Sequence, residues 1–225
     1  MNLENFEWGW MNFSTEGLYN KQFIIQETFI DKIYEKFFQV SEGDIVLDVG
    51  ASVGTFTYSI LDKNPKHVYC LEPSELEFPT LVKNTIGHPV TPILKGISSS
   101  NSLNENEQVY GDNKSMEGIT FKKLCELYNL EKIDFLKTDC EGGEYDIFNE
   151  ENFDFIKNNV KKIVGEWHLG TPELNAKFRD FRDLYLQNFV NVEVYSVDGV
   201  DIKWSVMSEH FLEYYTEVII HIYNQ

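Results

Sequence analysis

Four short blocks of the chain set carboxylates, glycines or an imidazole at the ends of apolar runs. The first, Asp48-Val-Gly50-Ala51-Ser-Val-Gly54, closes the run 45–49. A carboxylate in such a run is costly to bury unless paired, so Asp48 calls for a partner. Gly50 and Gly54 permit a tight turn into a helix start and close approach of a ligand to the backbone. The second block is Glu72-Pro73 at the end of the run 67–71. An acid at that strand tip can accept hydrogen bonds from both hydroxyls of a ribose, or can instead cap the helix that follows. The third is Asp139-Cys140-Glu141-Gly-Gly-Glu144. Asp139 and Glu141 suit an ammonium group or the hydroxyls of an acceptor, and Glu144 suits either the pocket or the turn amides. The fourth is Glu166-Trp-His168. An imidazole titrates near neutrality, so His168 is the candidate general base, competing with a plain surface or helix-capping role. Glu166 lies two positions earlier on an extended chain, on the same side.

The spacing narrows the ligand. A dinucleotide turn asks for Gly-x-Gly-x-x-Gly, and Ser52 and Thr55 stand where its second and third glycines belong. That disfavours a nicotinamide-dependent reductase. The Gly50-x-x-x-Gly54 spacing resembles motif I of class I methyltransferases, which bind S-adenosyl-L-methionine. Lys137-Thr-Asp139-Cys-Glu141-Gly-Gly-Glu144 resembles the more specific signature of FkbM-type methyltransferases. Glu42-Gly-Asp44, Glu72-Pro73 with Phe78, Leu81 and Asn84, and Ile119-Thr-Phe-Lys-Lys-Leu124 agree with it, so the resemblance runs from about residue 42 to about residue 168. It implies cofactor contacts from Asp48, Gly50, Ala51, Gly54, Glu72, Pro73, Asp139 and Glu141. Many relatives of the class carry an acid for the adenine at the third strand tip. Here Ile97 stands to pack on the ring and Ser98 to bond its edge. Catalysis is expected from His168, Asp139 and Glu166, with no metal. The implied activity is methylation of a hydroxyl on a sugar or related small metabolite; the alternative is a catalytically silent nucleoside-binding module.

These residues need an alternating α/β frame. Strands are expected at 45–49, 67–71, 90–94, 133–138, 162–167, 191–197 and 217–223, with helices at 78–85, after Thr120, after Gly142-Gly143 and over 172–188. The pattern suits a three-layer, Rossmann-like sandwich with a mostly parallel seven-stranded sheet in the class I order 3-2-1-4-5-7-6. Residues 1–225 read as one domain, with 1–40 as a cap and 41–225 as the core. Within the cap, Phe6, Trp8, Trp10, Met11 and Phe13 form an aromatic cluster, either packed on the sheet edge or closing as a lid. Ile25, Phe29, Ile33 and Phe37 recur at i+4 and predict an amphipathic helix over 25–38. Tyr19, Asn20 and Lys21 are placed to face the pocket. The Ser- and Asn-rich stretch 98–115 reads as a surface loop, and its Asn113-Lys-Ser115 formally matches a glycosylation site.

A formal charge of −18 on 225 residues opposes binding to a phosphate backbone, so nucleic acid is excluded as a partner and a small-molecule acceptor is expected. Cys70, Cys125 and Cys140 lack the spacing of a metal or redox motif and read as reduced thiols. No stretch approaches ~20 apolar residues, so no membrane association is expected and a cytoplasmic location follows. The sequence leaves the oligomeric state open.

Overall fold

The computed structural model describes residues 21–99 and 117–224, and the side chains from residue 23 onward within them. The aromatic cluster 6–13, Tyr19, Asn20, the side chain of Lys21 and most of the stretch 98–115 lie outside the described residues.

Apolar runs form β1 (Ile45–Val49), β2 (His67–Leu71), β3 (Val90–Ile93), β6 (Ile133–Thr138), β7 (Val160–His168), β8 (Asn191–Ser196) and β9 (Glu217–Tyr223). Their order is β3-β2-β1-β6-β7-β9-β8. Counted along the chain within this one sheet, that is 3-2-1-4-5-7-6. The two extra numbers belong to β4 (Gly96–Ile97) and β5 (Gly118–Ile119), which pair with each other in a separate two-stranded ladder. All large-sheet neighbours are parallel except β7–β9 and β8–β9. Because β9 runs backwards, Glu217 faces His168 across the ladder and Tyr223 faces Lys162 at the other end. Pro92 lacks an amide hydrogen and sits on the edge strand β3, where no second ladder is needed.

Each face of the sheet carries its own core, which makes three layers. Leu47, Leu71, Leu136, Ile163 and Ile220 pack beneath α4 (Phe121–Leu127), α6 (Glu150–Asn159) and α7 (Pro172–Asp180). Val46, Val68, Phe135, Val164 and Ile219 pack on the other face with Ile33, Tyr34, Val40 and Phe56. That face also receives α2 (Thr55–Ser59) and α3 (Phe78–Thr85). The remaining helices are α1 (Lys21–Ile25), α5 (Glu144–Ile147) and α8 (Phe211–Tyr214). Thr120 caps α4 as expected, accepting from the Lys123 amide.

Several expected boundaries move. The helix over 25–38 does not form: after α1 comes a π-helical turn, Gln26–Asp31, that ends at Lys32 with φ +49°. A short 3-10 turn, Ile33–Glu35, follows. The i+4 apolar spacing is met instead by a bent segment whose Ile33, Tyr34 and Val40 pack on the sheet, a tertiary preference that overrides helix propensity. Likewise α7 stops at Asp180 and continues as a π-helical turn, Phe181–Tyr185, which lays the Phe181 ring on Trp167 at 5.1 Å. β3 ends one residue early, and β7 extends beyond 162–167 at both ends.

Candidate active site

The glycine turn after β1 is built from the backbone up. Gly50 has φ +74°, and a Cβ there would lie 1.7 Å from the Asp139 carbonyl oxygen. Only glycine lets the tips of β1 and β6 meet this closely. The Gly50 and Ala51 amides both donate to the Leu71 carbonyl, which holds the turn against β2. Asp48 finds its partner in Lys137, its cross-strand neighbour. The Lys137 ammonium lies 3.3 Å from Asp48 Oδ1 in an ion pair and donates to the Gly50 carbonyl at 2.7 Å. Thr57 donates to Asp48 Oδ2 at 2.7 Å. Burial works against the Lys137 charge, but Asp48 and Asp139 prevail and raise its pKa.

Glu72 occupies the neighbouring strand tip, 2 % exposed. Its Oε2 accepts from the Ser52 amide and its Oε1 from the Ser74 amide, each at 2.7 Å. A carboxylate offers about four acceptor positions, so one remains on each oxygen for a diol. Burial, with the Glu77 charge second, pushes the Glu72 pKa up to about 7, against the pull of the two amides. The capping reading of this block is not met: the Ser74 hydroxyl accepts from the Glu77 amide at 3.3 Å in the turn before α3, whose cap residue Glu77 makes no side-chain cap bond.

A crevice joins Gly50, Glu72, Pro73, Ile97, Asp139 and Glu141, six of the expected ligand contacts. Val49, Leu71, Lys95, Gly96, Cys140, Gly142, Gly143, Asp146, Leu174 and Lys177 complete its wall. Asp48, Ala51, Gly54 and Ser98 lie outside this wall. Asp48 is fully buried beneath Lys137; Ala51 and Ser98 are buried. A Cβ on Gly54 would meet Leu81 at 2.8 Å, so that glycine serves helix packing.

The second half of the site lies past Asp139, at the tips of β6, β7 and β9. Glu144 is fully buried at the start of α5 and accepts from the Gly142 amide at 2.8 Å. Its other oxygen faces His168 twice, at 2.9 Å from the backbone amide and 3.0 Å from Nδ1. His168 Nε2 faces Glu141 at 3.5 Å and Glu166 at 4.0 Å. Burial alone would lower the His168 pKa. The hydrogen bond and charge of Glu144, with Asp139 and Glu141, outweigh it and carry the pKa to about 10. That shift favours the protonated ring, so service as a general base requires His168 first to give up a proton. Glu166 is pushed well above the carboxylate range by burial and by Asp139, with His168 opposing. Glu27, from the π-helical turn, rises to about 7 through burial and the charges of Asp139 and Glu217. Glu166, His168 and Glu217 bring one ligand atom each within 4.8 Å of one another, a set that could hold a divalent cation.

Three contributors escaped the sequence reading. Tyr34 donates to Asp139 Oδ2 at 2.8 Å across 105 positions of chain. Glu27 comes from a segment read as amphipathic helix. Glu217 reaches the site only because β9 is antiparallel to β7. No local spacing in the sequence announces any of them. Lys137 was visible in its block, and its partners are Asp48 and Asp139.

The methyltransferase FkbM domain matches residues 48–191 of the chain. Among solved structures, the fibrillarin/Nop5p complex is similar with a TM-score of 0.51 at 16 % identity, covering 87 % of this chain and 79 % of that one. An rRNA methylase from Streptococcus thermophilus gives 0.50 at 11 % identity, covering 86 % of this chain and 92 % of that one. At such identities the likeness is one of fold. No curated protein matches the chain. With that domain spanning more than half of its residues and the class I strand order beneath it, the chain belongs to the FkbM family of methyltransferases, whose cofactor is S-adenosylmethionine.

Proposed function

We propose that the protein methylates a hydroxyl oxygen of a sugar or related small metabolite. The observation that carries this reading is the division of the site: a crevice with Gly50, Glu72 and Asp139 adjoins a proton-handling group of Glu166 and His168. The residues of the crevice fit the cofactor: Glu72 keeps acceptor positions for a ribose diol, and Gly50 leaves the turn bare. When bound, S-adenosylmethionine supplies a methyl group already activated as a sulfonium.

The protein's own work is to hold the acceptor oxygen in line and to take its proton. Glu144 fixes the His168 ring, and Glu166 lies 4.0 Å from its Nε2. The pair accepts the acceptor proton in the form that has lost one of its own protons. Transfer therefore speeds up as pH rises from 7 toward 9. A methyl group already activated as a sulfonium needs no Lewis acid, so the reaction is read as metal-independent. Glu141, Glu217 and the formal charge of −18 oppose a phosphate-bearing acceptor, which supports a small hydroxyl compound over nucleic acid. Three free thiols support a reducing, cytoplasmic setting. Among the described residues no helix is long and apolar enough to cross a membrane.

The test is transfer of a labelled methyl group from S-adenosylmethionine into fractionated cell extract. Label is expected in a sugar or glycan fraction. Label in RNA would overturn the acceptor class, and cofactor binding without any transfer would leave a silent binding module.

A further inference from the structure

Asp139 stands where the crevice meets the acidic half of the site, with its side chain 30 % exposed. Its two oxygens are not equivalent. Oδ2 accepts from the Tyr34 hydroxyl at 2.8 Å and faces the Lys137 ammonium at 3.8 Å. Oδ1 takes no hydrogen bond from the described residues. Its backbone amide donates to the Val49 carbonyl, so the residue abuts the β1 turn rather than the tip of β7.

Tyr34 is itself held firmly. It is buried, its ring meets Phe56 edge-on at 5.6 Å, and Lys137 Nζ lies 5.3 Å above its face. The preceding Lys32 sits in the left-handed region, which turns the chain sharply into the short helix that carries Tyr34. The next residue, Glu35, is pinned by the Val40 amide and the Lys63 ammonium. Burial, with the Asp139 charge second, drives the phenol pKa well above its ordinary value, so the hydroxyl stays a donor. Tyr34 also lies before residue 48, where the match to the family domain begins.

We infer that Tyr34 is a positioning residue for cofactor binding: with Lys137 it engages Asp139 Oδ2, so that Oδ1 is presented to the crevice to receive the ammonium group of the cofactor's amino-acid tail. The inference rests on the methyltransferase reading. A carboxylate with one oxygen tethered loses little rotamer freedom on binding, whereas an untethered one must be ordered by the ligand.

Two probes separate this role from a general effect on the pocket. S-adenosylhomocysteine carries the nucleoside and the amino-acid tail; 5′-methylthioadenosine carries the nucleoside alone. Titration calorimetry on the full chain should show Tyr34→Phe binding S-adenosylhomocysteine about tenfold more weakly, the size of one charge-assisted hydrogen bond. Binding of 5′-methylthioadenosine should be unchanged. In Asp139→Asn the further loss on adding Tyr34→Phe should vanish, because both changes act through one carboxylate. Equal weakening of both probes would assign Tyr34 to the fold alone and overturn the inference. So would unchanged affinity for S-adenosylhomocysteine, or losses that simply add with Asp139→Asn. Failure of the unaltered protein to bind either probe would instead overturn the methyltransferase reading beneath it.

Discussion

Glu72 keeps its carboxylate where burial opposes charge, and it is the Ser52 and Ser74 amides that make ionisation tolerable. Hydroxyls of a ribose would donate to the ionised form and find fewer acceptors on the protonated one. The sign follows: affinity for S-adenosylhomocysteine should climb as pH rises through about 7 and level off above it. Glu72→Gln offers one acceptor oxygen in place of two and strands an amide. It should weaken binding by about 1.5–3 kcal/mol and flatten the pH dependence near 7. Calorimetry across pH 6–8 reads both effects, and a Gln variant that keeps the pH slope would place the titrating group elsewhere. The place of Glu72 at a strand tip beside the glycine turn was legible because strand, acid and turn follow one another in the chain. The raised pKa of His168 was not. It depends on Glu144, Asp139 and Glu141 meeting one ring, and the reference pKa of an isolated imidazole says nothing about that company.

Strand tips, rather than helices, set the geometry of the crevice. The contact between the turn after β1 and the end of β6 is the tightest such junction: Gly50 meets the Asp139 backbone, and its φ is positive. Gly54 also has positive φ, but its added Cβ would meet only the flexible end of Leu81. Gly50→Ala should therefore cost clearly more stability than Gly54→Ala, by at least about 1 kcal/mol, in denaturant unfolding followed by circular dichroism. Equal costs would mean that the β1–β6 junction relaxes more easily than its geometry implies. At this scale the sequence was informative wherever burial on both faces gave strands rich in apolar residues, as in β1, β6 and β9. It misled at 25–38, where the same periodicity fitted a bent segment packed on the sheet. It was silent on β4 and β5, two-residue strands too short to carry a period. Tyr34 shows why the rest of the site stayed hidden: its partner Asp139 is a neighbour only once the sheet has formed.

Across the whole molecule, the charge balance ties stability to pH. His168 has its pKa raised from 6.5 to about 10, so its contribution is full below 6.5 and is lost as pH climbs toward 10. Glu166, also raised, binds its proton more tightly folded than unfolded and adds a slope of the same sign. His221, lowered to about 3 mainly by burial, is neutral in both states above neutrality and leaves that interval unaffected. The melting temperature of the free protein should thus fall between pH 7 and pH 9, and added salt should recover part of it by screening the net charge of −18. Scanning calorimetry at both pH values checks this; a higher melting temperature at pH 9 would contradict the assigned charge states. The direction opposes that expected for turnover, so the alkaline conditions that free the Glu166–His168 pair also loosen the fold that holds it. The reversed course of β9 has a practical side. Its first residue, Glu217, sits beside His168, while Tyr223 and Asn224 anchor against Lys162, Lys161 and Val160 at the opposite rim. Six strand steps, about 20 Å, separate the two ends. A fluorophore or surface tether joined at the Asn224 end would leave the crevice mouth open to cofactor and acceptor, whereas one placed on the loop before Glu217 would stand in its path.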